Sequence, residues 1–244
     1  MGLVRAVVVP ARGRRVAGAA VAASVLLAAL LANPFAQTQG RHPVSGRTIA
    51  PVMGYEGAGW LERPEREREE QPAKAIAALD ILLGAVVADV GAGSGYYTSR
   101  LARQVGESGR VYSTDIQPEM LRLLAQRVAR ERLTNVELVL ATPEDARLPE
   151  RCCDVVLMVD VYHELAQPQR VLRQLRRALK PDGRLVLIEF RKESPWVPIR
   201  EEHKMSVREA RLELEAEQYR FERVIDVLPW QHILVFRPAA ASAP

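Results

Sequence analysis

The run Asp89-Val90-Gly91-Ala92-Gly93-Ser94-Gly95 places three alternating glycines directly after an apolar stretch and before a helical pattern. Glycine lets the backbone approach a ligand that side chains would exclude. The spacing separates two nucleotide classes. A dinucleotide fingerprint wants glycine or alanine at position 96, where this chain has Tyr96, and Gly95 comes one residue early. A bulky residue there suits a ligand with no phosphate at the helix start. Asp115 lies 24 residues after Gly91, at the end of the next apolar run, where a carboxylate can accept both hydroxyls of a ribose. Asp89 adds a second negative charge, which favours a cationic ligand over a pyrophosphate. With no Arg or Lys close by in sequence, the pattern points to S-adenosylmethionine, a sulfonium carrying a ribose and a free amino group.

A second constellation follows the fourth apolar run: Asp160-Val161-Tyr162-His163-Glu164. In an open α/β sheet, ligands bind beyond the carboxyl ends of the strands, so these residues, with Glu189 and Arg191 after the fifth run, belong beside a transferable group. Methyl transfer from a sulfonium is an in-line displacement, and holding the two reactants together supplies about 7 to 11 kcal/mol. His163 is the candidate general base, with an ordinary pKa of about 6.5; Tyr162 and Glu164 would orient the acceptor. The alternative is a His163 that caps the next helix or packs inward. His203, Lys204 and Met205 sit in a loop (191–206) that either closes over the acceptor or merely connects elements. Trp230 and His232 read as core or edge residues. Cys152 and Cys153 are adjacent, so they form no disulfide framework, and at about 3.3 Å per residue they lie about 20 Å from the reactive edge, as buried thiols. Two cysteines and four scattered histidines give no zinc spacing, so no metal is expected.

The elements that would position these groups alternate. Strands are expected at 85–90, 110–115, 136–141, 154–160, 184–189, 221–227 and 232–236. Helices are expected at 73–79, 97–105, 118–131, 168–179 and 207–217. Short branched runs with helices between them indicate βαβ units and a parallel sheet covered on both faces. Lys180-Pro181-Asp182-Gly183 marks a helix stop and turn. Only Leu228-Pro229-Trp230-Gln231 separates the last two strands, which requires antiparallel pairing.

The chain has 244 residues, 48% hydrophobic and 26% charged, with a formal net charge of +4, an ordinary globular composition. Residues 1–55 hold six arginines and no acid, leaving 28 basic against 30 acidic groups in the rest. A net negative body argues against nucleic acid as a partner. Arg5, Arg12, Arg14 and Arg15 precede the uncharged stretch Val16 to Ala32, the layout of an export signal or a membrane anchor over 1–36. This implies an exported or membrane-anchored protein, or a cytoplasmic one if translation starts near Met53. Residues 37–60 read as a linker or an extended arm over the domain surface, 61–71 as a solvated charged helix face, and 61–244 as the catalytic domain.

The sequence resembles the class I S-adenosylmethionine-dependent methyltransferases, particularly the small-molecule group with a type 11 methyltransferase domain. VADVGAGSG is similar to the family's first motif, STDIQPEML to the second, and DVVLMVDVYHEL with LKPDGRLVLIEF to the fourth- and fifth-strand motifs. The resemblance implies a Rossmann-like, doubly wound sheet of seven strands, mostly parallel, with the last antiparallel. It implies that Gly91, Gly93 and Gly95 line the methionine moiety, that Asp89 holds its amino group, and that Asp115 with Ile116 holds the ribose and adenine edge. Asp160 would stand beside the methyl group. Where the family often has Gly-Asp-Ala after the third strand, this chain has Ala141-Thr142-Pro143, so adenine would rely on the Thr142 backbone or on Glu144 or Asp145. The expected function is methyl transfer from S-adenosylmethionine to a small-molecule acceptor. A catalytically silent nucleoside-binding or partner-binding fold and a nicotinamide oxidoreductase are the alternatives.

Overall fold

The computed structural model describes residues 40–240; the leader expected over 1–36 lies outside them. No described helix is long and apolar enough to cross a membrane. Eight strands form one sheet: β1 (Val86–Val90), β2 (Arg110–Asp115), β3 (Val136–Leu140), β4 (Cys153–Val159), β5 (Leu179–Arg191), β6 (Lys204–Met205), β7 (Tyr219–Ile225) and β8 (Gln231–Pro238). Their order is β3-β2-β1-β4-β5-β8-β7, with β6 added beside the end of β5. β1 to β5 pair in parallel, and β8 runs antiparallel between β5 and β7. The doubly wound, Rossmann-like sheet with its last strand antiparallel is therefore borne out. The count rises by one because β6, two residues long, is too short to leave a periodic signal.

Seven helices flank it: α1 (Ala58–Leu61), α2 (Arg66–Glu69), α3 (Pro72–Ala78), α4 (Tyr96–Val105), α5 (Pro118–Arg130), α6 (Pro168–Ala178) and α7 (Val207–Ala216). Proline occupies the first turn of α3, α5 and α6, where its missing N–H costs no hydrogen bond. Ser206 and Glu209 close a reciprocal capping box on α7. Each central strand alternates between two cores. On β5, Val186 and Ile188 pack with Leu101 and Val105 of α4, while Leu185 and Leu187 pack with Leu172 and Leu175 of α6 and Leu214 of α7. Burial on both faces explains why these strands read as unbroken apolar runs.

The described part of the stretch expected as a linker or arm, 40–60, is held to the body by specific polar contacts. Arg47 donates from Nε to Glu213 Oε1 at 2.8 Å and from Nη2 to Oε2 at 3.1 Å, with Glu213 wholly buried on α7. Its Nη1 donates to the His163 carbonyl at 3.0 Å, which also accepts from the Ala50 amide at 3.1 Å. Further on, Gln117 donates to the Met53 carbonyl and accepts from the Tyr55 amide, both at 2.9 Å. The arm thus braces the turn after β4 from behind and the end of β2 from above.

Replacing Arg47 with methionine leaves the buried Glu213 carboxylate only the Ser45 hydroxyl and, 3.2 Å away, His42 Nε2 in place of the guanidinium. The expected cost is about 3 to 5 kcal/mol, read as a lower urea midpoint at unchanged slope; a loss below about 1 kcal/mol would show that the arm is not clamped in this way.

Candidate active site

The carboxyl ends of β1, β2 and β4 surround a cavity of about 520 Å³. It opens beside the β1–β4 step, where the strand order reverses and a doubly wound sheet splays to admit a ligand. At its floor, the backbone turns from β1 into α4 through Gly91 and Gly93. Gly91 has φ +72°, and a Cβ there would stand 2.6 Å from Val161 Cγ2. That approach lets the turn after β1 and the turn after β4 share one wall. Gly95 serves a different purpose: its φ is +85°, and a Cβ would stand 2.9 Å from Leu124 Cγ, so its bareness seats α5 against α4.

Asp115 ends β2 and fixes the turn. Its Oδ2 accepts from the Gly93 amide at 2.9 Å and its Oδ1 from the Gln117 amide at 2.8 Å. Burial raises its pKa against the pull of those amides. Burial also raises Asp89 to about 6, opposed by the Thr98 hydroxyl that donates to its Oδ2 at 2.6 Å. Asp160, held at φ +54° beyond β4, is raised well above the carboxylate range, by burial first and then by Glu70 and Glu189. Its Oδ2 accepts from Gln231 Nε2 at 2.7 Å, while Oδ1 is buried with no partner among the described residues, as is Thr114 Oγ1. A buried acceptor left over in a cavity wall marks a place for a ligand's donor.

The charged run 61–71 is solvated on one side, where Glu62, Glu65, Glu67 and Arg68 are exposed, but buries two charged residues on the other. Arg66 is 5% exposed and Glu70 0%, joined through Arg66 Nε to Glu70 Oε2 at 2.6 Å. The Arg66 guanidinium lies over the rings of Tyr96, 4.2 Å from its centroid, and Tyr97, at 5.6 Å. Tyr96 in turn donates to Glu67 at 2.5 Å. These contacts lay α1 and α2 over the glycine turn, so Trp60, Leu61 and Arg66 become cavity wall. The sequence-level reading that no cation stands near the acids is corrected here: Arg66 arrives from a helix some twenty residues upstream.

Across the cavity, the 3₁₀ turn after β4 (Tyr162–Glu164) meets the 3₁₀ turn Glu201–His203 that leads into β6. His163 Nδ1 lies 2.6 Å from Glu189 Oε2 and its Nε2 lies 3.1 Å from His203 Nδ1. Burial opposes the His163 charge, but Glu189 and Glu164 outweigh it and hold the imidazolium up at about 9. Burial raises Glu164 to about 7 against the pull of His163, and burial with the His163 charge lowers His203. A free imidazole base at His163 is therefore corrected: both its ring nitrogens are already engaged. His203 and its loop neighbours Pro198, Ile199 and Arg200 line the cavity, so this loop forms part of its wall rather than a mere connection.

Of the expected site residues, the structure brings Gly91, Gly93, Asp115, Ile116, Thr142, Asp160, His163 and Glu164 to the cavity. Four others stand away from it. Asp89 lies behind the glycine turn, turned to Thr98, so it contributes field rather than contact. Gly95 faces α5. Asp145 caps its own loop, accepting from the Arg147 amide at 2.7 Å. Tyr162 is fully buried in the core under the Arg47 guanidinium, 5.4 Å from its ring centroid, because successive residues of a 3₁₀ turn face different ways. The Thr142 amide, offered for adenine, already donates to the Asp145 carbonyl at 2.9 Å. Sequence reasoning missed Arg66 and Gln231, which no local pattern distinguishes from surface residues, and Gln117, which no motif marks. Cys152 and Cys153 are free thiols with Sγ atoms 3.0 Å apart, outside the cavity wall.

The residues present fit a ribosyl sulfonium: a glycine turn that a Cβ would block, a buried ribose-reading Asp115, acids that favour a cation, and Arg66 for a carboxylate. Comparison with known proteins agrees. Residues 88–187 match the family model described as a methyltransferase domain. A crystal structure of an S-adenosylmethionine-dependent methyltransferase from Aquifex aeolicus is 30% identical, with a TM-score of 0.72, covering 76% of this chain and 98% of that one. A putative type 11 methyltransferase from Sulfolobus solfataricus, 21% identical, shares the fold with a TM-score of 0.59, covering 72% of this chain and 96% of that one. The ubiquinone/menaquinone biosynthesis C-methyltransferase UbiE of Paraburkholderia xenovorans is 33% identical over 129 residues, which is 51% of this chain and 50% of the relative. The match thus spans about half the length of that relative. The chain belongs to the S-adenosylmethionine-dependent methyltransferases, and its cofactor is S-adenosylmethionine.

Two outcomes follow from this geometry. Gly91→Ala should cost about 2 to 4 kcal/mol from the left-handed backbone and the clash. Adding Val161→Ala should recover part of that loss in a denaturant double-mutant cycle; strictly additive losses would show that the two turns do not touch. The Asp89 carboxyl binds its proton more tightly folded, at about 6 against 3.8, so its stabilising effect is complete below about pH 4 and is lost as pH rises through about 6. Asp89→Asn should therefore gain stability relative to the wild type between pH 4 and pH 8 in parallel urea titrations. A constant difference would contradict the buried, proton-retaining carboxyl.

Proposed function

We propose that this methyltransferase acts on a small, lipophilic acceptor carrying an ionisable hydroxyl, of the hydroquinone or phenol class. The observation that carries this reading is the division of the cavity. One end holds the glycine turn and Asp115, while much of the remaining wall is apolar: Val52, Met53, Trp60, Met120, Phe190 and Ile199. Glu164 and His203 line the cavity beside that apolar wall and could accept an acceptor's proton there. The name of the UbiE relatives, ubiquinone/menaquinone biosynthesis C-methyltransferase, supports an acceptor of this chemistry.

Within this reading the Gly91 and Gly93 backbone and Asp115 hold the nucleoside. Asp160, with its spare Oδ1, takes the ammonium, and Arg66 the carboxylate. When bound, the cofactor supplies a methyl carbon on a positively charged sulfur. The protein's share is to bind the acceptor along Trp60, Phe190 and Ile199, to exclude water with the arm and the 191–206 loop, and to hold the acceptor's hydroxyl against Glu164 and His203. The His163–Glu189 pair acts through His203, as a positioning residue with its support.

The test is release of S-adenosylhomocysteine with a panel of hydroquinones, catechols and naphthols set against polar amines and amino acids. Turnover is expected on the hydroxylated aromatics, and Ile199→Glu should raise the acceptor KM about tenfold or more. Turnover on polar amines alone, or on no member of the panel, would contradict the proposal.

A further inference from the structure

Three side chains with ligating atoms stand together at the acceptor wall. His163 and Glu164 stand on the turn after β4, and His203 on the turn before β6, 40 residues on. Two imidazoles and one carboxylate form a frequent ligand set for divalent transition metals. His163 Nε2 lies 3.1 Å from His203 Nδ1, and Glu164 Oε1 lies 3.8 Å from each of those nitrogens. The three atoms form one compact group. The point equidistant from them lies about 2.1 Å from each, within the zinc–nitrogen and zinc–oxygen range of about 2.0 to 2.2 Å. The atoms are already spaced for an ion.

The surroundings match as well. A metal-ligating histidine usually donates its other ring N–H to a carboxylate, which fixes the tautomer and ring plane. His163 Nδ1 does this toward Glu189 Oε2 at 2.6 Å, and Glu189 is itself anchored, its Oε1 accepting from the Tyr162 amide at 2.9 Å. The His163 carbonyl is held by Arg47 Nη1 and the Ala50 amide. The two imidazole planes are nearly perpendicular, at 84°, so the rings do not stack face to face. All three ligands border the cavity, which leaves a fourth position toward it, the arrangement of a catalytic rather than a structural site.

We infer that His163 Nε2, His203 Nδ1 and the Glu164 carboxylate form a binding site for a divalent transition-metal ion, best matched by zinc, on the acceptor wall of the cavity. The ion takes the place of the proton shared by the two rings. With the ion bound, Glu164 and His203 serve as its ligands and no longer accept a proton themselves; the open position takes a water or the acceptor's hydroxyl oxygen in their stead. The expectation from sequence that no metal site exists rested on spacing along the chain, which does not register ligands 40 residues apart.

The experiment uses the purified full-length chain, stripped with a chelator and dialysed. Calorimetric titration with Zn²⁺ should give one equivalent bound at micromolar affinity or better, and Co²⁺ should develop visible absorption bands. His203→Ala should weaken Zn²⁺ binding at least 100-fold, and Glu189→Gln about 10- to 100-fold. Unfolding midpoints of the stripped variants confirm that they fold. Because a variant can fail to fold, X-ray absorption at the zinc edge of the loaded wild type gives a reading without substitution, expected to show two imidazoles and oxygen with no sulfur. Absence of stoichiometric binding, equal binding by His203→Ala, or a sulfur shell from Cys152 and Cys153 would each overturn the site. None of these readouts depends on methyl transfer, so failure of the acceptor assay leaves this result independent.

Discussion

Buried negative charge at the carboxyl edge of the sheet is the constraint around which this structure is arranged. Asp89 is the penultimate residue of β1, Asp115 ends β2 and Asp160 follows β4, and all three have raised pKa values with burial as the leading cause. Glu70 and Glu189 lie close by, each wholly buried. The two glutamates have their own basic partners: Arg63 and Arg66 pair with Glu70, and His163 with Glu189. The three aspartates are left with neutral hydrogen-bond donors. Buried carboxylates without a cation are costly, and a ligand that brings positive charge into the cavity relieves that cost. In the proposed site the acids would favour the cofactor's positive charge, while the bare glycine turn, which Val161 abuts, would leave room for it.

The segment that precedes the family domain completes the site. Arg47, Gln117 and the Arg66–Glu70 pair fasten residues 40–78 across the mouth of the sheet. Through Arg47 and Ala50 the same segment reaches the backbone of His163. Support of the histidine wall and enclosure of the cofactor floor thus belong to one continuous stretch. The methyltransferase-domain match begins at residue 88, so this covering lies outside the matched residues.

The sheet was legible because its strands are buried on both faces, which leaves apolar runs bounded by turn residues; the expected helices differ from those observed by one residue at each end or less. Asp115 and the glycines were legible because their spacing follows from the turn they build. What did not show in the sequence was assembled across space. Arg66 and Glu70 look like an ordinary solvated pair four residues apart, and only the rings of Tyr96 and Tyr97 beneath them make them interior. His203 reaches His163 through β6, a strand too short to carry a period. Tyr162 and His163 are neighbours in sequence but face opposite sides, which a three-residue turn decides and composition does not.

Isothermal titration of the purified protein with S-adenosylmethionine, repeated on Asp115→Ala, reports whether this acid-lined cavity holds the cofactor. One site of micromolar affinity is expected in the wild type, weakened at least tenfold in the variant. No binding, or equal binding by Asp115→Ala, would contradict a cofactor site there.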